Sequence, residues 1–500
     1  MKVFIYVGSH DNNCIEAAYT QVGLGNDVFI VHCDRSMALC RMNHLSCGLL
    51  CKYCEYQNKR LWVNDIKKRG ASVHAISEFR PDTPIEYPNL MFEDIKELKQ
   101  IKYKDIEIGF GAFSTYVTIT RNVMPIVNDD FKKYITEYMK REIVAIESLE
   151  NALDQFKPEL VILHNGRFAE YKPILGLAKT HGINYITTEE VYHDGKVLKN
   201  DFYNDVVHSI TANYQKYQSN WENSPHTIEE RIAIAQSFYE NRRNKKAAGD
   251  KIYTKDQEIG LLPDGFDKNL EIISIFNSSE DEFCAVSSEY DSYKLFENQY
   301  EALTAIFEHY KDDKSKHFYV RIHPNLKSVP YRSHTALYNL HYDNVTIIPA
   351  DSRVDSYVLM ENSDKIIVFD STMAVESAYW GKPVIELSKY MWSLMGVTYT
   401  PESNDELWDL IDSKELNCKK SDDLLKYAYW VMNPNYEEEK LFKYRTIDFS
   451  FLGHKIFVQN EFYSLAGSYK LNSLIKFILV SPKVASIIPG LTKFKRIPCE

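Results

Sequence analysis

Three stretches of the sequence share one grammar: an apolar strand, a short polar loop, a helix, a glycine and a second apolar strand. The first runs Val3–Val7, then Gly8–Asn13, a helix from about Cys14, Gly23 and Gly25, and Val28–Val31. The second runs Leu160–Leu163, then His164–Arg167, a helix from about Pro173, Gly182, and Tyr185–Thr187. The third runs Lys365–Phe369, then Asp370–Thr372, a helix through Glu376, Gly381, and Val384–Leu387. Alternation of this kind predicts parallel sheets covered by helices, with ligands gathered at the C-terminal strand ends. With 500 residues the natural division is two domains. A charged, Gly/Pro-punctuated stretch at 246–268 reads as the linker. It separates a first domain at 1–245 from a second at 269–455, followed by a tail at 456–500. The expectation is an α/β protein of two doubly wound Rossmann-type domains facing one another across a cleft.

In the second half, the strand His317–Ile322 runs into Arg-Ile-His-Pro, which sets Arg321 and His323 at a strand end; Pro324 removes a donor and stops the strand. Arginine suits a planar, bidentate grip on phosphate or carboxylate. The alternative is a strand-end salt bridge with His323 packed on a neighbouring loop. Asp370, Ser371 and Thr372 lie between a buried strand and a helix, where a hydroxyl caps the helix and free N–H groups attract anions. Glu376, one turn on, can accept from ribose hydroxyls or be an ordinary helix carboxylate.

The ordered run FNSSEDEF, YVRIHPN and DKIIVFDSTMAVESAYWGKPVIEL resembles the capsule polysaccharide biosynthesis family, whose members are glycosyltransferases of GT-B type. A similar order of elements occurs in Kdo transferases and polyglycerol-phosphate polymerases. The resemblance covers most of 269–387. It implies that Arg321, His323, Ser371, Thr372 and Glu376 contact a nucleotide-sugar donor, and that Ser278 and Ser279 line the cleft. One departure stands out. The Glu-x7-Glu pattern of many retaining enzymes is absent, because eight residues before Glu376 stands Val368. The stereochemical outcome stays open.

The first half then holds the acceptor. Asn165 and Arg167 sit at a strand end beside Gly166, and Asn12 and Asn13 follow the first strand. A sugar hydroxyl must lose its proton as it attacks, which calls for a carboxylate or imidazole within hydrogen-bond reach. Glu190 and His193 are the candidates. No Asp-x-Asp pair stands where a catalytic metal would be held, so no cofactor is expected for catalysis.

Cys33, Cys40, Cys47, Cys51 and Cys54 crowd one loop. Four of them, Cys33, Cys40, Cys51 and Cys54, can hold structural zinc or an iron–sulfur cluster, or all can stay as reduced thiols. The N-terminus lacks the pattern of a signal peptide and no run reaches the ~18 apolar residues of a membrane helix, so a cytoplasmic address is expected. From Phe462 to Cys499 there is no acid but there are six cations, against a net charge of −11 for the chain. That tail can lie on an anionic leaflet, peripheral to the membrane and near a lipid-linked or polymeric glycan acceptor, or pack back as a helix. The acidic balance excludes a general nucleic-acid binder. Rival readings are a CDP-polyol phosphotransferase, a nucleotide-sugar 2-epimerase, and a non-catalytic scaffold for polysaccharide assembly or export.

Overall fold

The β-branched, apolar runs form the strands the pattern predicts. In the computed structural model they assemble into two separate sheets. The structure describes all residues except 9–10, 38, 194–195, 250–251, 293, 439–441, 452–453, 465–492, 495–496 and 499–500. The chain divides into two compact units. One comprises Met1–Thr120, Pro125–Val207 and Tyr436–Glu500; the other comprises Arg121–Met124 and His208–Asn435.

The first unit is built on β1 (Lys2–Val7), β2 (Asp27–His32), β3 (Ser72–Ala75), β4 (Leu160–His164), β5 (Asn184–His193) and β6 (Lys196–Tyr203). Their order across the sheet is β3-β2-β1-β4-β5-β6. All neighbours are parallel except β5 and β6. The exception follows from chain length: a parallel return needs a dozen or more residues, and His193 is only three positions from Lys196. The sequence reading ended this strand at Thr187, short of Glu189 and Glu190. β5 instead continues past them, and beyond the pair His164–Thr188 it is bonded only to β6. Val3, Ile5, Ile30 and Ile162 pack against the helix Asn12–Gly23 on one face.

The second unit holds β7 (Glu271–Phe276), β8 (Lys316–Arg321), β9 (Val345–Ile348), β10 (Lys365–Val368) and β11 (Val384–Glu386). The order is β11-β10-β7-β8-β9, parallel throughout. Successive side chains alternate faces, so Ile272 and Phe276 enter one core while Ile273 and Ile275 enter the other. The sheet is therefore buried on both sides, as a doubly wound unit requires.

The domain boundaries differ from expectation. Residues 208–245 belong to the second unit, where the helices Ile210–Glu222 and Ile228–Arg243 pack on Asp423–Met432. The Tyr239 hydroxyl donates to the Leu424 carbonyl at 2.7 Å. The stretch read as a linker is also packed there. Gln257 Oε1 accepts from the Ser356 N–H at 2.9 Å, and the Glu258 N–H donates to the Arg353 carbonyl at 2.7 Å. Gly/Pro and charge reported the lack of regular structure, not a lack of contacts. Past Tyr436 the chain belongs to the first unit again, as β12 (Phe442–Phe451) and β13 (His454–Ser464), an antiparallel hairpin. The Lys199 N–H donates to the Glu437 carbonyl at 2.8 Å, and the Tyr116 hydroxyl to the Pro498 carbonyl at 2.9 Å. The segment read as an amphipathic tail thus begins in a β-strand at 456–464; most of its remainder lies outside the described residues. Among the described residues no helix is long and apolar enough to cross a membrane.

Candidate functional site

In the first unit, polar side chains gather where β1, β4 and β5 end. Asn13 is buried, its amide donating to the Thr188 carbonyl at 2.8 Å and to His164 Nδ1 at 3.0 Å. It ties the ends of β4 and β5 together. Asn165 adopts φ +50°, Gly166 φ +87°. A Cβ on Gly166 would come within 2.6 Å of Leu175 Cδ2, so the turn excludes a side chain. This turn aims the Asn165 amide at Glu189 Oε1, 2.9 Å away. Arg167 points into the unit instead, donating to the Ser114 hydroxyl at 3.0 Å and the Thr118 hydroxyl at 3.1 Å. Asn12 is buried as well. Of the four residues expected to line the acceptor side, Asn13, Asn165 and Arg167 make these hydrogen bonds within the unit.

Glu190 is half-buried on β5. Burial pushes its carboxyl up to about 7, helped by the charges of Asp11 and Glu189 and opposed by the Asn13 backbone N–H and by Arg41. Glu189 is raised too, chiefly by burial, against the Asn165 amide, Arg167 and Arg41. His193 lies three residues along the pleat from Glu190, so the two side chains leave opposite faces of β5. Arg41, Asp11, Glu170 and Tyr171 complete the cluster. The Arg41 N–H donates to Glu170 Oε1 at 2.7 Å, its guanidinium stands 3.8 Å from Asp11, and the Tyr171 hydroxyl donates to Asp11. The cysteine-rich loop therefore delivers a cation among the carboxylates, which no spacing in the sequence signals.

That loop is a cluster of thiols. Burial pushes Cys33 up to about 12 and Cys51 up to about 11, and raises Cys40. Among the described residues no group of three or more His, Cys, Asp or Glu is arranged to hold a metal ion. Cys33, Cys40, Cys51 and Cys54 take part in no disulfide.

In the second unit the ends of β7, β8 and β10 carry the expected residues, with partners of their own. Ser278 accepts from the Gln299 amide at 2.8 Å. Ser279 accepts from Arg121 at 2.7 Å and donates to Asp281 at 2.7 Å. Arg121 also pairs with Asp281, at 2.7 Å, and sequence reasoning had no signal for it. His323 accepts from the Asn325 N–H at 3.2 Å and meets the Tyr253 ring edge-on at 4.7 Å. Ser371 accepts from the Met373 N–H at 3.3 Å, and Thr372 from Arg242 at 3.4 Å.

Two expectations are corrected. Arg321 is 3% exposed, and its guanidinium donates to the carbonyls of Pro349 and, at 3.1 Å, Ser352. Burial lowers its pKa to about 10. It braces the loop after β9 rather than presenting an open fork. Glu376 is 1% exposed, ion-paired with Arg242 at 3.0 Å and accepting from the Tyr357 hydroxyl. Its acceptors are spent inside the unit. Asp370, at the end of β10, adopts φ +40° and accepts from the Ser388 hydroxyl at 2.8 Å; burial pushes its carboxyl up to about 6.

Two small open pockets, each with about 20 Å³ of internal space, flank these strand ends. One is lined by Phe283, Lys294, Phe296, Asp370 and Ser388, the other by Arg121, Asn277, Ser278, Leu326 and His334.

No protein-family model matches the sequence, and no curated protein does. Among solved structures the chain is similar to the beta Kdo 2,4 transferase of KpsC from Thermosulfurimonas dismutans, at 15% identity and a TM-score of 0.35 over 56% of this chain and 80% of that one. It is similar to the calicheamicin glycosyltransferase CalG4 at 10% identity and a TM-score of 0.25, over 86% and 94% of the two chains. A UDP-GlcNAc 2-epimerase from Neisseria meningitidis gives 15% identity and a TM-score of 0.24, over 86% and 98%. The architecture itself rests on the strand orders given above.

Proposed function

We propose that the chain is a glycosyltransferase that moves a sugar from a nucleotide-activated donor onto a hydroxyl of a surface glycan, of the capsule or O-antigen kind. The single observation behind this reading is Glu190. A half-buried carboxyl with its midpoint at about 7, at the C-terminal end of parallel strands, is matched to accepting a proton at neutral pH. In the reaction the acceptor oxygen bonds to the donor's anomeric carbon, the bond from that carbon to the phosphate oxygen breaks, and the hydroxyl proton passes to Glu190. The first unit takes the acceptor. The second takes the donor at the ends of its five parallel strands, where open sheets of this kind keep their ligands. No divalent cation is required in this scheme, so turnover is expected to persist in excess chelator.

The test has two stages. A thermal-shift panel of UDP- and CMP-sugars, with CDP-glycerol for the rival phosphotransferase, identifies the donor. Product analysis with a glycan acceptor then distinguishes transfer from epimerisation, which needs no acceptor. Transfer by the wild type and its loss in Glu190→Gln would support the reading. Full transfer by a folded Glu190→Gln protein, or no nucleotide effect at all, would overturn it.

A further inference from the structure

The helix Gly48–Asn58 of the first unit buries amides and exposes apolar side chains. Gln57 and Asn58 lie inside beside Leu50, and Asn58 accepts from the Trp62 indole N–H at 3.3 Å. Leu49 and Tyr56, by contrast, are 52% and 59% exposed. Between them come the exposed Lys52 and the half-buried Tyr53. The spacing i, i+3, i+4, i+7 sets all four along one side of the helix. Lys59, one turn past Tyr56 and also exposed, continues the row. A helix of a water-soluble domain ordinarily turns such a stripe inward. Single exposed apolar side chains need no explanation, but a row of them in register, flanked by lysines, marks a contact surface.

The charge on this side is one-signed. Glu55 is the acid of the helix, and Arg35 and Lys59 each hold it at 2.9 Å. The face is thus locally cationic in a chain of net charge −11. The acid-free run Phe462–Cys499 returns to the same place. The N–H groups of Lys493 and Phe494 donate to the carbonyls of Ser46 and Leu45 at 3.4 and 3.2 Å, just ahead of the helix. Lys493 itself pairs with Glu137 at 2.6 Å, so the position of the run counts here, not that ammonium. We infer that this side of the helix docks on an anionic lipid surface, with Leu49 in the acyl boundary, the tyrosine rings at headgroup depth and Lys52 and Lys59 on the lipid phosphates. Each residue type takes the depth its chemistry favours: hydrocarbon for leucine, the interface for tyrosine, and a long stem with a wet, charged tip for lysine. A second copy of the chain fits less well, because a twofold pairing sets two cationic faces against each other. A nucleic acid would take the lysines but leave Leu49 without an apolar partner. Docking of this kind is independent of the donor and of the reaction proposed above.

The experiment is co-sedimentation of the full chain with two kinds of vesicle: phosphatidylcholine alone, and phosphatidylcholine mixed with an equal part of phosphatidylglycerol. Three proteins are compared, all with the C-terminal run intact: the wild type, the double variant Leu49→Ser, Tyr56→Ser, and the double variant Lys52→Gln, Lys59→Gln. The four positions are exposed, and thermal melts establish that each protein is folded. Expected is binding of the wild type to the anionic vesicles, weakened by salt, with a loss of about tenfold in partitioning for each double variant. Failure of the wild type to bind anionic vesicles would overturn the inference. Undiminished binding by either double variant would overturn it too, since the contact would then lie elsewhere on the chain. A wild-type dimer in solution that the Leu49→Ser, Tyr56→Ser protein no longer forms would assign the face to a second copy instead. None of these results bears on the glycosyltransferase reading, which stands or falls with the transfer assay.

Discussion

Arg242 and Glu376 form a buried ion pair at 3.0 Å, joining the helix Ile228–Arg243 to the helix that follows β10. Glu376 also accepts from Tyr357. Removing one partner leaves a charge without compensation, which typically costs about 3–5 kcal/mol. Arg242→Ala is expected to lower stability by about 3 kcal/mol in denaturant unfolding of the second unit. A change below about 0.5 kcal/mol would contradict the role assigned to the pair.

Glu190 governs a pH dependence of opposite sign for activity and stability. Its carboxyl is raised from 4.5 to about 7, so the base form, and with it turnover, should grow as pH rises through 7. A raised carboxyl favours the folded state when protonated, and that contribution is lost as pH climbs from the unfolded value toward 7. Glu190→Gln should therefore lose turnover by on the order of 10²–10⁴ yet melt at a higher temperature than wild type at pH 8. Melts at pH 5 and pH 8 beside rate measurements check both signs.

Asp370 occupies φ +40°, a conformation that Asn tolerates and other side chains resist. Asp370→Asn should fold like the wild type. Asp370→Ala should lose about 1–2 kcal/mol through backbone strain and loss of the Ser388 bond. Paired chemical denaturation of the two variants measures the difference.

Arg321→Ala should be a stability variant first. Its guanidinium holds two backbone carbonyls after β9, and their loss leaves buried acceptors. A drop of about 2–3 kcal/mol is expected, read as a lower melting temperature. An unchanged melt with lost nucleotide binding would restore the arginine to the ligand.

The two sheets were legible because period and punctuation agree: an apolar run, a polar loop and a helix can bury their faces in few ways. Glu190 could be picked out because acidic residues at a strand end are visible in sequence. Its titration midpoint could not, since it depends on Asp11 and on Arg41 from a loop more than a hundred residues away. The same limit misdirected Arg321 and Glu376. A strand-end arginine and a helix glutamate look alike in sequence whether they face a ligand, a carbonyl or each other. The course of β5 escaped because Glu189 and Glu190 are poor strand formers that interrupt the apolar run, although Val191 and Tyr192 beyond them favour a strand and pairing with β6 holds the whole extended.

The hairpin of β12 and β13, which belongs with the first unit, has a consequence for biosynthesis. The whole of His208–Asn435 leaves the ribosome before Tyr436 does, so the second unit has all its chain while the first still lacks a piece. The usual vectorial order, N-terminal body first, is inverted here. A nascent protein with residue 435 just clear of the ribosome would present a complete second body and an incomplete first one, the form most exposed to chaperones and proteases.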